Sequence, residues 1–153
     1  MIREATMNDM PELMRMARSF HFAANGKRFI RFEDNTDGWV GWFRDCIADP
    51  GRTCLIAEDD GPCGFITALT GPLLFAPGKT KMAYEGNLWV DEAARTNGHA
   101  RHLIQAAKDW AKANGCSHLT MAAHRFFGFK GPDKLYRSMG FELEEKHYLG
   151  AVQ

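Results

Sequence analysis

The sequence predicts an α/β chain: a single mixed sheet with helices on both faces. Two observations carry this. The runs "TCLIAE" and "CGFITALT" are separated by "DDG", the composition of a tight hairpin between antiparallel strands. Later, the strand-like run "KMAYEGNLWV", a helical stripe and the strand-like run "SHLTMAA" follow in succession. A strand–helix–strand crossover joins parallel strands. Antiparallel and parallel neighbours together make a mixed sheet, and the full order reads β α α β β β α β α β.

Each element has its own signal. "IREA" reads as a short first strand. Asn8 or Asp9 can then cap a helix, with Glu12 placed as capping-box partner to Asp9. Leu13, Met16, Ala17 and Phe20 fall at i, i+3, i+4 and i+7, one apolar face. "HFAANGKRFIRFEDN" reads as irregular. A second helix starts near Thr36 with the stripe Trp39, Trp42, Phe43, Cys46 and Ile47, and "DPG" ends it. After the hairpin, "GPLLFAPGKT" is a loop, and the strand "KMAYEGNLWV" contains Gly86. Leu103, Ala107, Trp110 and Ala111 mark a long helix that Gly115 stops. "HRFFGFKGP" reads as a loop, "DKLYRSM" as a short helix closed by Gly140, and "FELEEKHYLGAV" as one or two final strands.

The chain of 153 residues predicts one domain spanning 1–153 with one sizeable core. Zero net charge speaks against a general affinity for nucleic acid or membrane. No apolar run approaches the roughly 20 residues of a membrane helix. "MIREATMNDM" carries charges where a signal peptide would be apolar. Cys46, Cys54, Cys63 and Cys116 form no CxxC pair and no zinc spacing, so they read as reduced thiols of a cytoplasmic protein with no metal.

Charge is uneven along the chain. Residues 1–94 hold 10 Lys/Arg and 14 Asp/Glu, whereas residues 95–137 hold 8 and 2. The basic block begins in "ARTNGHARHLI", residues 94–104, where Gly98 stands at a helix start among Arg95, His99, Arg101 and His102. A first helical turn has free backbone N–H groups and the positive end of the dipole. A phosphate can bind there if side chains leave room, as Gly98 and Ala100 do. Gly98 as a plain loop residue beside a solvated basic face is the competing reading. "GKT" at 78–80 is no P-loop, because Leu73 stands where the motif needs glycine. His99 and His102 could chelate a metal at i, i+3, but no Cys or carboxylate completes a set nearby.

Arg95, Gly98 and Ala100, with Thr96, Asn97 and His99 between them, resemble the acetyl-CoA motif of the GCN5-related N-acetyltransferase (GNAT) family. In that motif Arg or Gln is followed after two residues by Gly, then one residue on by Gly or Ala. "IREATMNDMPEL" is similar to the family's first strand and helix, and "LYRSMGF", residues 135–141, to its late signature. The resemblance implies a GNAT-like acyl-CoA N-acyltransferase fold, its central sheet splayed between the fourth and fifth strands. Acetyl-CoA would enter that cleft as cosubstrate. Backbone of Leu88, Trp89 and Val90 would bond its pantetheine arm, and N–H groups from Thr96 to Arg101 its pyrophosphate. Arg95 would add a mobile charge at the entrance. An N–H of the fourth strand would polarise the thioester carbonyl.

The resemblance also implies direct attack by a primary amine, with no acyl-enzyme. Tyr136 would protonate the leaving thiolate, or merely pack its ring. Many relatives carry a glutamate base where Gly86 stands here. Strict alternation turns the neighbouring Glu85 to the opposite face. A bulge at Gly86, common in this strand of the family, would turn it into the cleft. His124 is a second candidate base, and water a third. The acceptor would be a small-molecule or peptide amine, capped by residues 20–36, and a homodimer is left open. The alternative function is an acetyl-CoA-binding module that no longer transfers.

Overall fold

The computed structural model describes residues 1–25, 31–72, 81–123 and 130–143. Five strands form one sheet in the order β1-β2-β3-β4-β5. They are β1 (Ile2–Glu4), β2 (Arg52–Glu58), β3 (Pro62–Pro72), β4 (Lys81–Val90) and β5 (His118–Thr120). The first four are antiparallel to their neighbours, and β4 pairs with β5 in parallel. The mixed sheet and the "DDG" hairpin are as expected from sequence.

Helices α1 (Met10–Asn25) and α2 (Thr36–Ala48) cover one face. Their stripe residues Leu13, Met16, Phe43 and Cys46 meet Cys54, Ile56, Phe65 and Trp89 in one core, against which Phe20, Trp39 and Trp42 pack. Helices α3 (His99–Ala113) and α4 (Lys130–Ser138) belong to the other face. There Leu103, Ile104 and Ala107 meet Leu55, Ala57, Ile66 and Val90, while Leu135 and Tyr136 pack against them. Phe43, Phe65, Leu103 and Ile104 are fully buried, each contributing roughly 1.5–3 kcal/mol of transfer free energy.

Several boundaries differ from expectation. The chain enters α1 through a 3-10 turn, Met7–Asp9, one turn early. Asp9 therefore does not cap α1 with Glu12. Its carboxylate accepts the N–H and hydroxyl of Thr6 and N–H groups from the two terminal guanidinium nitrogens of Arg3. That pairing holds the Asp9 carboxyl well below the usual carboxylate range. Glu12 instead binds Arg15. Much of the stretch read as irregular is ordered, because its apolar groups find the core. Helix α1 continues through Asn25 with His21 and Ala24 buried, and Phe32–Asn35 form a 3-10 turn with Phe32 buried. A third 3-10 turn, Glu92–Asn97, fills the loop expected before α3. Helix α4 starts at Lys130 rather than Asp133, with Pro132 in the first turn where its missing N–H costs nothing. Strand β5 is only three residues long. The segment read as final strands lies mostly outside the described residues.

Candidate active site

The β4–β5 ladder pairs only Met82, Ala83 and Tyr84 with His118, Leu119 and Thr120. Beyond Tyr84 the two strands part. This is the splay, and it leaves the β5-facing edge of β4 from Glu85 to Val90 without ladder partners among the described residues.

The fork coincides with a change of phase in β4. Opposite β3, Asn87 pairs with Thr67 and Glu85 with Ala68, so Gly86 is an extra residue. This is a β-bulge. Paired residues share a face. Trp89 and its partner Phe65 belong to the α1/α2 core, whereas Ile66 belongs to the α3 core. Ala68 lies two residues on from Ile66, on the same face. Unbroken alternation from Trp89 would send Glu85 toward α1 and α2. The bulge sends it, with Ala68, to the face of α3 and α4. Only glycine fits at the bulge: a Cβ on Gly86 would stand 2.6 Å from Trp42 Cζ2 and 2.7 Å from Thr67 Oγ1.

Glu85 thereby reaches the fork. Its Oε2 accepts the N–H of Ala122 at 3.0 Å, just past the end of β5. Burial pushes its carboxyl up to about 7, and the Ala122 N–H offsets only part of that. Tyr136 approaches from α4, and its hydroxyl donates to the carbonyl of Ala122 at 3.0 Å. Burial first, and the Glu85 charge second, push the phenol above its ordinary value. The phenol therefore keeps its proton throughout the neutral range.

The late signature positions Tyr136. Past the end of α4, Gly140 N–H donates to the carbonyl of Arg137 and Phe141 N–H to that of Tyr136, the two bonds of a Schellman motif. Phe141 returns its ring to 6.1 Å from the Tyr136 ring. Arg101 donates to Ser138 Oγ at 2.9 Å and Lys108 to the Met139 carbonyl at 2.6 Å, which bolts α4 to α3.

The start of α3 suits an anion. Gly98 takes φ +78° and precedes the first turn, which has no capping side chain and no acidic residue. The nearest atom to a Cβ placed on Gly98 is His102 Cε1 at 3.8 Å. No side chain therefore crowds the start of α3 at Gly98, where the free N–H groups of a first turn can receive an anion. Ala100 is half-buried, and His102 and Arg101 are exposed. Thr96 and Asn97 lie in the preceding 3-10 turn, where Thr96 Oγ1 donates to Asn97 Oδ1 and Asn97 Nδ2 to Asp59 Oδ2.

Two basic side chains differ from expectation. Arg95 is not a mobile charge at the entrance. Its guanidinium lies 4.8 Å from the centroid of the Trp89 ring, and its Nε donates to the Val90 carbonyl at 3.1 Å. Trp89 is itself fixed, since its Nε1 donates to Asp91 at 2.8 Å. His99 is buried, its Nε2 3.4 Å from Asp59 of the β2–β3 turn. Both partners are close in space but remote from any sequence pattern.

Several acids of residues 1–94 pair within the same stretch: Asp9, Glu58, Asp91, Asp45 and Asp49 with Arg3, Arg15 and Arg52. These pairs leave the excess of acids over bases there unchanged. His124 lies outside the described residues, as does the middle of the segment expected to cap the acceptor. All four cysteines are free, and burial pushes the Cys46 thiol up to about 11. Among the described residues no group of three His, Cys, Asp or Glu side chains could hold a metal. No described helix is long and apolar enough to cross a membrane.

Sequence reasoning did not single out Ala122 and Thr67. Ala122 acts through its backbone, which leaves no trace in residue type.

The model of the Acetyltransferase (GNAT) family matches residues 10–141. No curated protein matches the chain closely enough to count as a relative. Among solved structures, a transcriptional regulator from Bacillus halodurans C-125 is 21% identical, with 99% of each chain covered and a TM-score of 0.79. A putative acetyltransferase from Agrobacterium tumefaciens str. C58 is also 21% identical over 99% of each chain, with a TM-score of 0.77. AAC(6')-Iy, solved in complex with a bisubstrate analogue, CoA-S-monomethyl-acetylneamine, is 16% identical. It is similar over 100% of this chain and 97% of its own, with a TM-score of 0.79.

Proposed function

This chain belongs to the GNAT acetyltransferase family, and from that premise we propose that it is an N-acetyltransferase moving the acetyl group of acetyl-CoA to a primary amine. The observation that carries the reading is the pair at the fork: a carboxyl raised to about 7 and a phenol held protonated, both fastened to Ala122. Two titratable groups whose environments separate their protonation states are the usual mark of an acid–base pair.

Each residue then has one task. The N–H groups at the start of α3, from Gly98 to Arg101, hold the phosphates, and the open edge of Leu88, Trp89 and Val90 lines the pantetheine arm. Arg95 stiffens that edge through Trp89 and Val90. An N–H of β4 polarises the thioester carbonyl. Glu85 takes the proton of the arriving ammonium, directly or through a water. The freed nitrogen attacks the acetyl carbon, the C–N bond forms, and the C–S bond breaks. Tyr136 gives its proton to the sulfur as it leaves. The second proton of the nitrogen passes through water to the phenolate, which completes the amide and restores Tyr136. Glu85 then releases its proton to solvent. No cysteine is acylated.

The neighbours' names point to a small-molecule amine as acceptor class. The chain is proposed to act as a single domain and in the cytoplasm. A domain that holds acetyl-CoA without transferring from it is the rival function. The lack of a glutamate at position 86 favours it, and Glu85 held beside Tyr136 favours transfer. The test is release of free thiol from acetyl-CoA with a panel of amines, for the native chain and for Glu85→Gln. Acceptor-dependent release that Glu85→Gln loses supports the reading. No release with any amine, alongside tight CoA binding, supports the rival.

A further inference from the structure

We propose that Thr67 is a positioning residue of the reaction: its hydroxyl, braced by Trp42, holds the β4 bulge in the one form that delivers Glu85 to the fork. This rests on the reading of Glu85 as proton acceptor.

Thr67 lies on β3 and is fully buried, opposite the bulge. A threonine hydroxyl in an apolar core is costly unless bonded. Its Oγ1 accepts the backbone N–H of Asn87 at 3.0 Å and the indole N–H of Trp42 at 3.3 Å. Asn87 is the first residue after Gly86. A bulge leaves a backbone group out of the ladder, and Thr67 supplies a side-chain acceptor there. Trp42 lies on α2, and its ring closes over the point where a Cβ on Gly86 would stand, 2.6 Å from Cζ2. Three elements thus meet at the extra residue: the β3 hydroxyl accepts its neighbour's N–H, the α2 indole steadies that hydroxyl, and the same indole forbids a side chain at Gly86.

The alternative arrangement of β4 is the regular one, with no residue out of step. It would return Glu85 to the α1/α2 face, away from Tyr136. Loss of the Thr67 hydroxyl would orphan the Asn87 N–H and the Trp42 N–H together, weakening the bulged form relative to its competitors. Thr67 touches neither substrate in this reading. It acts only through where Glu85 points.

Thr67→Val keeps the shape and removes the hydroxyl, and Thr67→Ser restores it. The expected result for Thr67→Val is a fall in kcat of roughly tenfold or more, a fraction of the about 10²–10⁴ that general acid–base catalysis supplies. CoA affinity should be unchanged, and the acid limb of the pH profile should shift or blur. Thr67→Ser should recover the rate to within about twofold. In a Glu85→Gln background, Thr67→Val should cost little more, because the group it positions is already gone. If Thr67→Val does not fold, Trp42→Phe tests the same network, with a smaller loss that also vanishes in the Glu85→Gln background. Native kcat in Thr67→Val, or an equal loss in both backgrounds, overturns the positioning role while leaving Glu85 as the base. Native kcat in Glu85→Gln overturns the base and the positioning role with it.

Discussion

Glu85 and Tyr136 grip opposite polar groups of one residue: the carboxylate accepts the N–H of Ala122 and the phenol donates to its carbonyl, each at 3.0 Å. A single peptide residue thus sets the separation of the two groups, and rigid backbone, not a second side chain, is the spacer. Disturbing either contact should loosen the other, which makes the pair testable from both ends.

Glu85→Gln should lower kcat by about 10²–10⁴-fold with CoA affinity preserved. In the native chain kcat/KM should rise with pH through about 7, where the carboxyl ionises. The variant should lose that limb. Steady-state rates from pH 5 to 9 check both outcomes, and an unchanged limb in the variant would assign the titration to another group.

The same substitution should stabilise the fold at alkaline pH. Glu85 is raised from its ordinary 4.5 to about 7, so folding favours the protonated form. The native chain should keep its full stability below about 4.5 and lose part of it as pH rises toward about 7, beyond which the loss is constant. An upper bound on that loss is about 3 kcal/mol, and solvent around the half-buried carboxyl should reduce it to about 1–2 kcal/mol. Glutamine can still accept the Ala122 N–H and has no proton to lose. Thermal melts should therefore show Glu85→Gln higher by a few degrees at pH 8 and level with the native chain below pH 4.5. A constant difference across that range would contradict the assignment.

Tyr136→Phe should slow turnover far more than it weakens CoA binding, because the ring still packs against Phe141 and only the hydroxyl is lost. General-acid assistance sets a scale of about 10²–10⁴-fold. Rates measured where chemistry limits turnover decide it, and a full-rate variant would show that water protonates the thiolate.

Gly98→Glu should abolish CoA binding. The residue sits at φ +78°, a conformation that costs an L side chain about 1–2 kcal/mol, and the carboxylate would enter the space left for phosphate. Gly98→Ala shares the strain without the charge. Its melt should fall similarly while binding falls much less. Equilibrium binding to immobilised CoA separates the two, and equal affinity of Gly98→Glu and the native chain would place the anion elsewhere.

Much of this was legible in sequence where local chemistry decides. The hairpin at "DDG", the αL glycine before α3 and the helix closure at Gly140 each follow from a few adjacent residues. Glu85 was half legible: glycine marked a bulge site, but whether the strand bulges depends on Thr67 and Trp42, residues on other elements. Arg95 and His99 read as free charges because periodicity is blind to what folds over a side chain. Trp89 and Asp59 supply those partners only in three dimensions. The 3-10 turn ahead of α1 escaped because the Asp9 carboxylate turns back to Thr6 and Arg3 instead of capping α1.

The extra residue at Gly86 gives β4 two parities joined at one point. Even-numbered positions above it and odd-numbered positions below it look into the same cleft. Deleting Gly86 would remove the bulge and still leave Glu85 opposite Ala68, on the cleft face. Straightening the strand with Gly86 retained would instead set Gly86 opposite Ala68 and turn Glu85 to the other side. What reaches the cleft is therefore set by keeping the extra residue out of the ladder. Aligning such strands by counting back from Val90 pairs residues that face opposite sides of the sheet, so equivalent acids in related chains are found by face, not by column.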